Sequence, residues 1–132
     1  MINTDTQYID KYLSIPDLTS DIYNHSIYLS IEKIRNFFAA KNEFPSIQLI
    51  KCPRVTTVHE EFDKLCIPLN SPMRSKKYGI YINEVNLLRT HPTSELINFI
   101  TGLQNDNSPQ DYLLFLVSIC FVKSNIDKKN QM

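Results

Sequence analysis

Residues 86 to 96 read NLLRTHPTSEL, and where this stretch divides decides the fold. Leu87 and Leu88 suit a short strand. Pro92 fits the first position of a helix, where its missing N–H is no loss, and Glu95 favours the positive end of the same helix. Leu96, Phe99, Ile100 and Leu103 then recur on one helical face. Between strand and helix stand Arg89, Thr90, His91, Thr93 and Ser94. Free backbone N–H groups and the helix dipole make such a junction a site for a carboxylate or phosphate, with His91, Thr93 and Ser94 around it. The other reading leaves Thr90 and Ser94 as helix-end caps and His91 as a surface residue.

Upstream, YGIYIN (78–83) reads as a strand, 83–86 as a turn, and NLLRT as its antiparallel partner. Ile27, Ile31, Ile34 and Phe38 predict a helix from Ser26 to about Asn42. Pro45 cannot continue it, and SIQLIKC (46–52) alternates as a strand that stops at Pro53. Residues 1–24 read as a loose arm or a short docked helix, and 25–132 as the domain. The pattern weakens between Arg54 and Lys77, where Arg74, Lys76 and Lys77 form a cluster expected to be solvated. Gln104 to Gln110 reads as a loop. YLLFLVSICFV (112–122) predicts a core strand and is too short to cross a membrane as a helix.

The totals exclude several classes. The chain has 132 residues, with 14 Lys+Arg against 14 Asp+Glu, so one domain is expected and no global field draws it to DNA or an anionic membrane. Cys52, Cys66 and Cys120 are too dispersed for a zinc knuckle or a disulfide framework, and no metal site is expected. The first residues, with Asp5, Asp10 and Lys11, show neither a secretory signal nor a transit peptide. Glu60 and Glu61 would face opposite sides of a strand and make no acid/base pair. Asp63 suits a turn anchor, Arg89 a salt bridge within the sheet or a ligand contact, His25 the start of the helix, and His59 a surface loop. No nucleophile elbow surrounds Ser118 or Ser124.

Four phrases, in order, resemble the catalytic domain of phenylalanyl-tRNA synthetase, most closely the single-chain mitochondrial type. They are Val55-Thr56-Thr57; Phe62-Asp63-Lys64-Leu65-Cys66-Ile67-Pro68; Pro72-Met73-Arg74; and Leu88-Arg89-Thr90-His91. NHSIYLSIEKIRNFF (24–38) is similar to the helix of the family's dimer-forming first motif, and CFVKSNID (120–127) to its second. The resemblance implies an α+β class II fold, an antiparallel sheet flanked by helices. It also implies ATP, Mg²⁺, phenylalanine and tRNA(Phe) as cofactors and partners, a homodimer through residues 26–42, and a mitochondrial or otherwise cytoplasmic location. Joining phenylalanine to AMP uses the substrate's own carboxylate as nucleophile, so no protein base is required and no catalytic side chain is assigned. By the same resemblance His91, Thr93 and Ser94 hold the amino acid's polar end.

Departures from the family pattern shape the functional expectation. Pro92 stands between His91 and the hydroxyls, Glu61 replaces an asparagine, and Ser71 replaces a histidine. The arginine that grips the ATP α-phosphate falls on Val122, or on Lys123 if the register slips by one; Lys123 is the expected ATP contact. No third motif or aromatic substrate pocket is legible. The expectation is a truncated ligase piece without useful activity by itself, with a non-catalytic dimerisation or RNA-binding module as the alternative.

Overall fold

The computed structural model describes residues 8–44, 46–104 and 111–123. In chain order its elements are α1 (Ile9–Leu13), α2 (Ser26–Lys41), β1 (Ser46–Lys51), β2 (Val55–Thr57), β3 (Asn86–Leu88), α3 (Thr93–Leu103) and β4 (Tyr112–Val117). A π-helical turn occupies His59–Asp63, and 3-10 turns lie at Asp21–Tyr23 and Pro72–Arg74. The expected loop at 105–110 lies outside the described residues, as do Pro45 and the SNID part of the second-motif phrase.

The short strand β3 is held on both edges. On one it pairs antiparallel with β2, Val55 opposite Leu88 and Thr57 opposite Asn86. On the other it meets the 80–82 segment through Leu88 N–H to Ile80 O at 2.9 Å and Ile82 N–H to Asn86 O at 2.9 Å. The expected antiparallel partnership therefore forms, although YGIYIN makes an isolated bridge, Tyr81 to Leu87, rather than a full strand. Asn83 closes the turn, its Oδ1 accepting from Val85 N at 2.9 Å and Asn86 N at 2.8 Å, a side chain substituting for backbone acceptors.

Successive side chains of a strand point to opposite faces, so Leu87 and Leu88 feed two separate cores. Leu87 packs with Phe62 and Tyr81, flanked by Val58 and Ile67. Leu88 packs with Ile80 and Phe121, flanked by Tyr12, Ile82 and Ile119. The second core docks the N-terminal arm: Tyr12 lies 5.8 Å from the Phe121 ring, and Arg54 Nη1 donates to Leu13 O at 2.9 Å and Tyr12 O at 3.2 Å.

The second sheet departs from the expected antiparallel arrangement. β1 and β4 run parallel, Ser46 opposite Tyr112 and Lys51 opposite Val117. The physical reason is the long crossover between them, which carries α3 and returns the chain in the same direction. The apolar run from Tyr112 also serves two sheets. β4 ends at Val117, and the chain then crosses to the other sheet, where Phe121 N–H donates to Arg89 O at 2.8 Å and Lys123 N–H to Tyr78 O at 3.1 Å.

The helix α2 begins as expected, His25 Nδ1 accepting from Ile27 N at 3.2 Å, and closes on Asn42 in the left-handed region at φ 54°. Its apolar face is only half used. Ile31 and Phe38 are half-buried, Phe38 meeting the Phe115 ring at 6.2 Å, while Ile27 and Ile34 stay exposed. Among the described residues β1 and β4 make a sheet of two strands, too narrow to cover the whole helix.

Leu87→Ala and Leu88→Ala should each lower unfolding free energy by about 2–5 kcal/mol, because both leave cavities in packed cores. The exposed Leu69→Ala should change it by no more than about 0.5 kcal/mol. Urea titrations check this, and equal costs at all three positions would contradict the core assignment.

Candidate functional site

Directly after β3 the chain buries a guanidinium. Arg89 is 2% exposed, and its planar fork is filled on every side. Nε donates to Pro53 O at 2.7 Å, Nη1 to Ser94 Oγ at 3.2 Å and His91 O at 3.3 Å, and Nη2 to Glu95 Oε1 at 3.0 Å. The backbone N–H of Arg89 donates to Arg54 O at 2.7 Å. One side chain thus ties the end of β1's loop, the strand end and the first turn of α3 together. Arg89 does form a salt bridge, but with Glu95 of α3 rather than within the sheet.

From the other side comes Glu61, which is 0% exposed. It sits in the π-helical turn, where Lys64 N–H reaches back five residues to His59 O at 3.0 Å. The turn, rather than strand alternation, separates the two glutamates. Glu60 points to α3, bonding Lys64 Nζ at 2.5 Å and accepting from Asn98 Nδ2 at 3.0 Å. Glu61 Oε1 instead accepts from Thr90 N at 2.7 Å, Thr90 Oγ1 at 2.5 Å and His91 N at 3.2 Å, with His91 Nε2 at 3.7 Å. Glu61 Oε2, His91 Nδ1 and Thr56 Oγ1 are buried without a protein hydrogen-bond partner.

The remaining charged residues of the motif phrases lock a loop. Arg74 Nη2 lies 2.8 Å from Asp63 Oδ1, its Nε donates to Ile67 O and Pro68 O, and its guanidinium covers the Phe62 ring at 5.3 Å. Tyr81 OH donates to Arg74 O at 2.6 Å. Arg74 therefore leaves the solvated cluster in which its sequence neighbours Lys76 and Lys77 remain, because Asp63 and two carbonyls replace its hydration. Asp63 anchors this turn as expected. Beside it opens a cavity of about 390 Å³ lined by Phe62, Pro72, Met73, Tyr78, Thr90 and Val122, with Gly79.

The residues expected to face a ligand are placed as follows. His91 is half-buried with its imidazole toward Glu61, and Thr93 is exposed in the first turn of α3. Ser94 is wholly buried, its hydroxyl accepting from Arg89. Pro92 precedes the helix as its cap residue rather than its first turn. Lys123 Nζ donates to Lys76 O at 2.8 Å. None of these four ligand candidates lines the cavity; Thr90 and Val122, the neighbours of His91 and Lys123, do. Glu61 and Arg74 were the structural residues missed. The signal available for both was a charge set inside an otherwise apolar or proline-bounded motif phrase.

Three carboxylates, Asp17, Glu60 and Asp63, are held below their ordinary values. The hydrogen bond from Arg74 holds Asp63 below the ordinary 3.8, and Lys64 holds Glu60 below 4.5. Burial pushes Asp17 upward, but bonds from Thr19 and the charges of Lys51 and Arg54 outweigh it. Burial raises the Cys52 thiol and the Tyr81 hydroxyl. Among the described residues no three His, Cys, Asp or Glu side chains cluster to hold a metal.

Arg89→Met should cost about 3–5 kcal/mol of folding stability, because it strands Glu95 and two carbonyls in a buried site; a denaturant titration measures it. Asp63 and Glu60 have folded pKa values depressed below their unfolded ones. Their contribution is complete above the ordinary carboxylate values and is lost as pH falls through the lowered ones. The urea midpoint should therefore be flat from neutrality to about pH 5 and decline below about 4.5, with Asp63→Asn and Glu60→Gln flattening that decline.

Comparison with known proteins places the chain in a family. The description "tRNA synthetases class II core domain (F)" matches residues 9–132, including the docked arm that the motif phrases left out. The phenylalanine–tRNA ligase alpha subunit of Mycoplasmoides gallisepticum is 35% identical over 107 residues, 78% of this chain and 30% of that protein. The mitochondrial phenylalanine–tRNA ligase of Saccharomyces cerevisiae is 32% identical over 98 residues, 74% of this chain and 19% of that protein. A probable mitochondrial phenylalanine–tRNA ligase of Drosophila melanogaster is 42% identical over 48 residues, covering 36% of this chain and 11% of that protein. The chain thus spans under a third of the length of these relatives, which include both an alpha subunit and mitochondrial ligases. The shared stretch carries the strand, the buried arginine and the helix that they organise, and the chain belongs to the family of class II tRNA synthetase core domains.

Proposed function

We propose that this chain is a part of the catalytic core of a phenylalanine–tRNA ligase of the single-chain mitochondrial type, working in an organelle or otherwise in the cytoplasm. Its substrates as part of the whole ligase are phenylalanine, ATP and tRNA(Phe). The observation that carries the reading is convergence. The four phrases resembling the family are dispersed over residues 55–91, yet Phe62, Pro72, Met73 and Thr90 from three of them line one cavity, with the Asp63–Arg74 ion pair holding its loop. His91 and Thr93 contact the amino acid's polar end in this proposal, and Ser94 acts from beneath, through Arg89.

By itself the chain does not perform adenylation in this reading. Val122 lines the cavity where the family resemblance puts an arginine, and Lys123, the other register, donates to Lys76 O. Losing one charge-assisted contact costs about 1.5–3 kcal/mol, or roughly ten- to a hundredfold in rate. ATP and Mg²⁺ enter only through the family, because the cavity walls carry no cation and the described residues no metal cluster.

A second reading, a non-catalytic dimerisation module, is favoured by α2. Ile27, Leu29, Ile34 and Phe37 are 45%, 48%, 50% and 57% exposed on a helix that buries no residue fully. Single exposed apolar residues are ordinary, but four on one helix suit an association surface.

Phenylalanine-dependent exchange of pyrophosphate into ATP should stay at background for this chain, and turnover well above it would overturn the fragment reading. Sizing chromatography should show concentration-dependent self-association that Phe37→Glu weakens; a monomer at all concentrations would remove the dimer from both readings.

A further inference from the structure

A second concavity, of about 280 Å³, opens where the N-terminal arm meets α2 and the parallel pair β1–β4, and it shares no lining residue with the cavity beside Thr90. Helical spacing builds one wall. Tyr28, Ile31, Glu32 and Arg35 stand three or four residues apart, so they share one face of α2, and all four are half-buried. With Ile31, Leu49 of β1 and Val117 of β4 make an apolar floor.

The charges around that floor are only partly committed. Arg35 Nη1 lies 3.5 Å from Glu32 Oε1, a single contact for a fork with several donors. Lys51 Nζ stands 3.8 Å from Asp17 Oδ2. Asp21 enters from the 3-10 turn that precedes α2 and has no cationic partner among the described residues. Arg35 lies two turns along α2 from Tyr28, a rise of about 10.5 Å. A free carboxylate therefore closes the arm end of the cleft, and an underused guanidinium closes the other.

A phosphate meets Asp21 and Glu32 there, and a wholly apolar guest would strip water from the charged rim without replacing it. A molecule carrying opposite charges at its two ends and an apolar body between them satisfies both ends and the floor. We infer that this cleft binds a free dipeptide with apolar side chains, its ammonium on Asp21, its carboxylate on Arg35 and its side chains on Ile31, Leu49 and Val117. Size separates a dipeptide from a single amino acid. A cavity of about 150 Å³ accommodates one benzene, and this one is nearly twice as large; an extended dipeptide also spans about 7 Å, whereas the charges of one α-amino acid sit on adjoining atoms of the same centre. The inference does not rest on the ligase reading, which pyrophosphate exchange tests separately.

The probe is alanyl-leucine, titrated calorimetrically into the full chain beside N-acetyl-alanyl-leucine, which lacks the ammonium, and alanyl-leucinamide, which lacks the carboxylate. Saturable binding of alanyl-leucine is expected, with each blocked form about tenfold weaker, the worth of one charge-assisted contact. Asp21→Asn should weaken alanyl-leucine by a similar factor and leave the acetylated form unchanged; Arg35→Gln should do the same with respect to the amide. Asp21 is exposed and Arg35 holds only a partly exposed ion pair, so both variants should fold; circular dichroism checks this, and should Arg35→Gln not fold, Asp21→Asn with the two blocked peptides decides alone. No saturable binding, either blocked form binding as tightly as alanyl-leucine, or equal affinity in Asp21→Asn would each overturn the proposal.

Discussion

The structure depends on keeping one guanidinium out of water. Arg89 is buried to 2% at the end of a three-residue strand, and a charge so placed is tolerable only if its nitrogens find partners. Pro53 O, His91 O, Ser94 Oγ and Glu95 Oε1 give each of the three side-chain nitrogens at least one. Because these partners come from the loop after β1, the strand-to-helix junction and α3, satisfying Arg89 sets the mutual placement of three pieces of chain. An apolar residue there would avoid the desolvation cost but would carry no directional information about where α3 starts.

Glu61 plays the complementary part from the π-helical turn. A carboxylate has several acceptor positions, and Oε1 uses three donors from Thr90 and His91. The turn Thr90–His91 is thereby gripped by an anion on one side and a cation on the other. This explains the abundance of polar groups in NLLRTHPTSEL better than a ligand alone does. Most of them are used internally, and the concave surface beside them is left apolar. The unpartnered Oε2 of Glu61 and Nδ1 of His91 are the exceptions.

The periphery follows a different logic. α2 and the parallel pair β1–β4 meet through Phe38 and Phe115, but a two-stranded sheet offers little area. No residue of α2 is fully buried, whereas the small antiparallel sheet around β3 holds Leu87 and Leu88 at 0% exposure. Apolar burial is therefore concentrated around the motif phrases, where the polar lock also sits.

The sequence alone determined the long elements and the family. Apolar spacing located α2, the β1 strand and the apolar run at Tyr112, because those signals are local and periodic; the motif phrases from Val55 to His91 carried the resemblance because their residue types and order survive without any knowledge of contacts. Tertiary structure decided the rest. The parallel pairing of β1 with β4 depends on a crossover path that periodicity does not encode. The split of the Tyr112–Val122 run between two sheets depends on which edges were open. Arg74 became half of an ion pair, and Glu61 became a buried clamp, because Asp63 in one case and Thr90 and His91 in the other arrive from distant positions in the chain. A charged side chain's role is set by whether a partner replaces its lost water, and that partner is named only when the chain has folded.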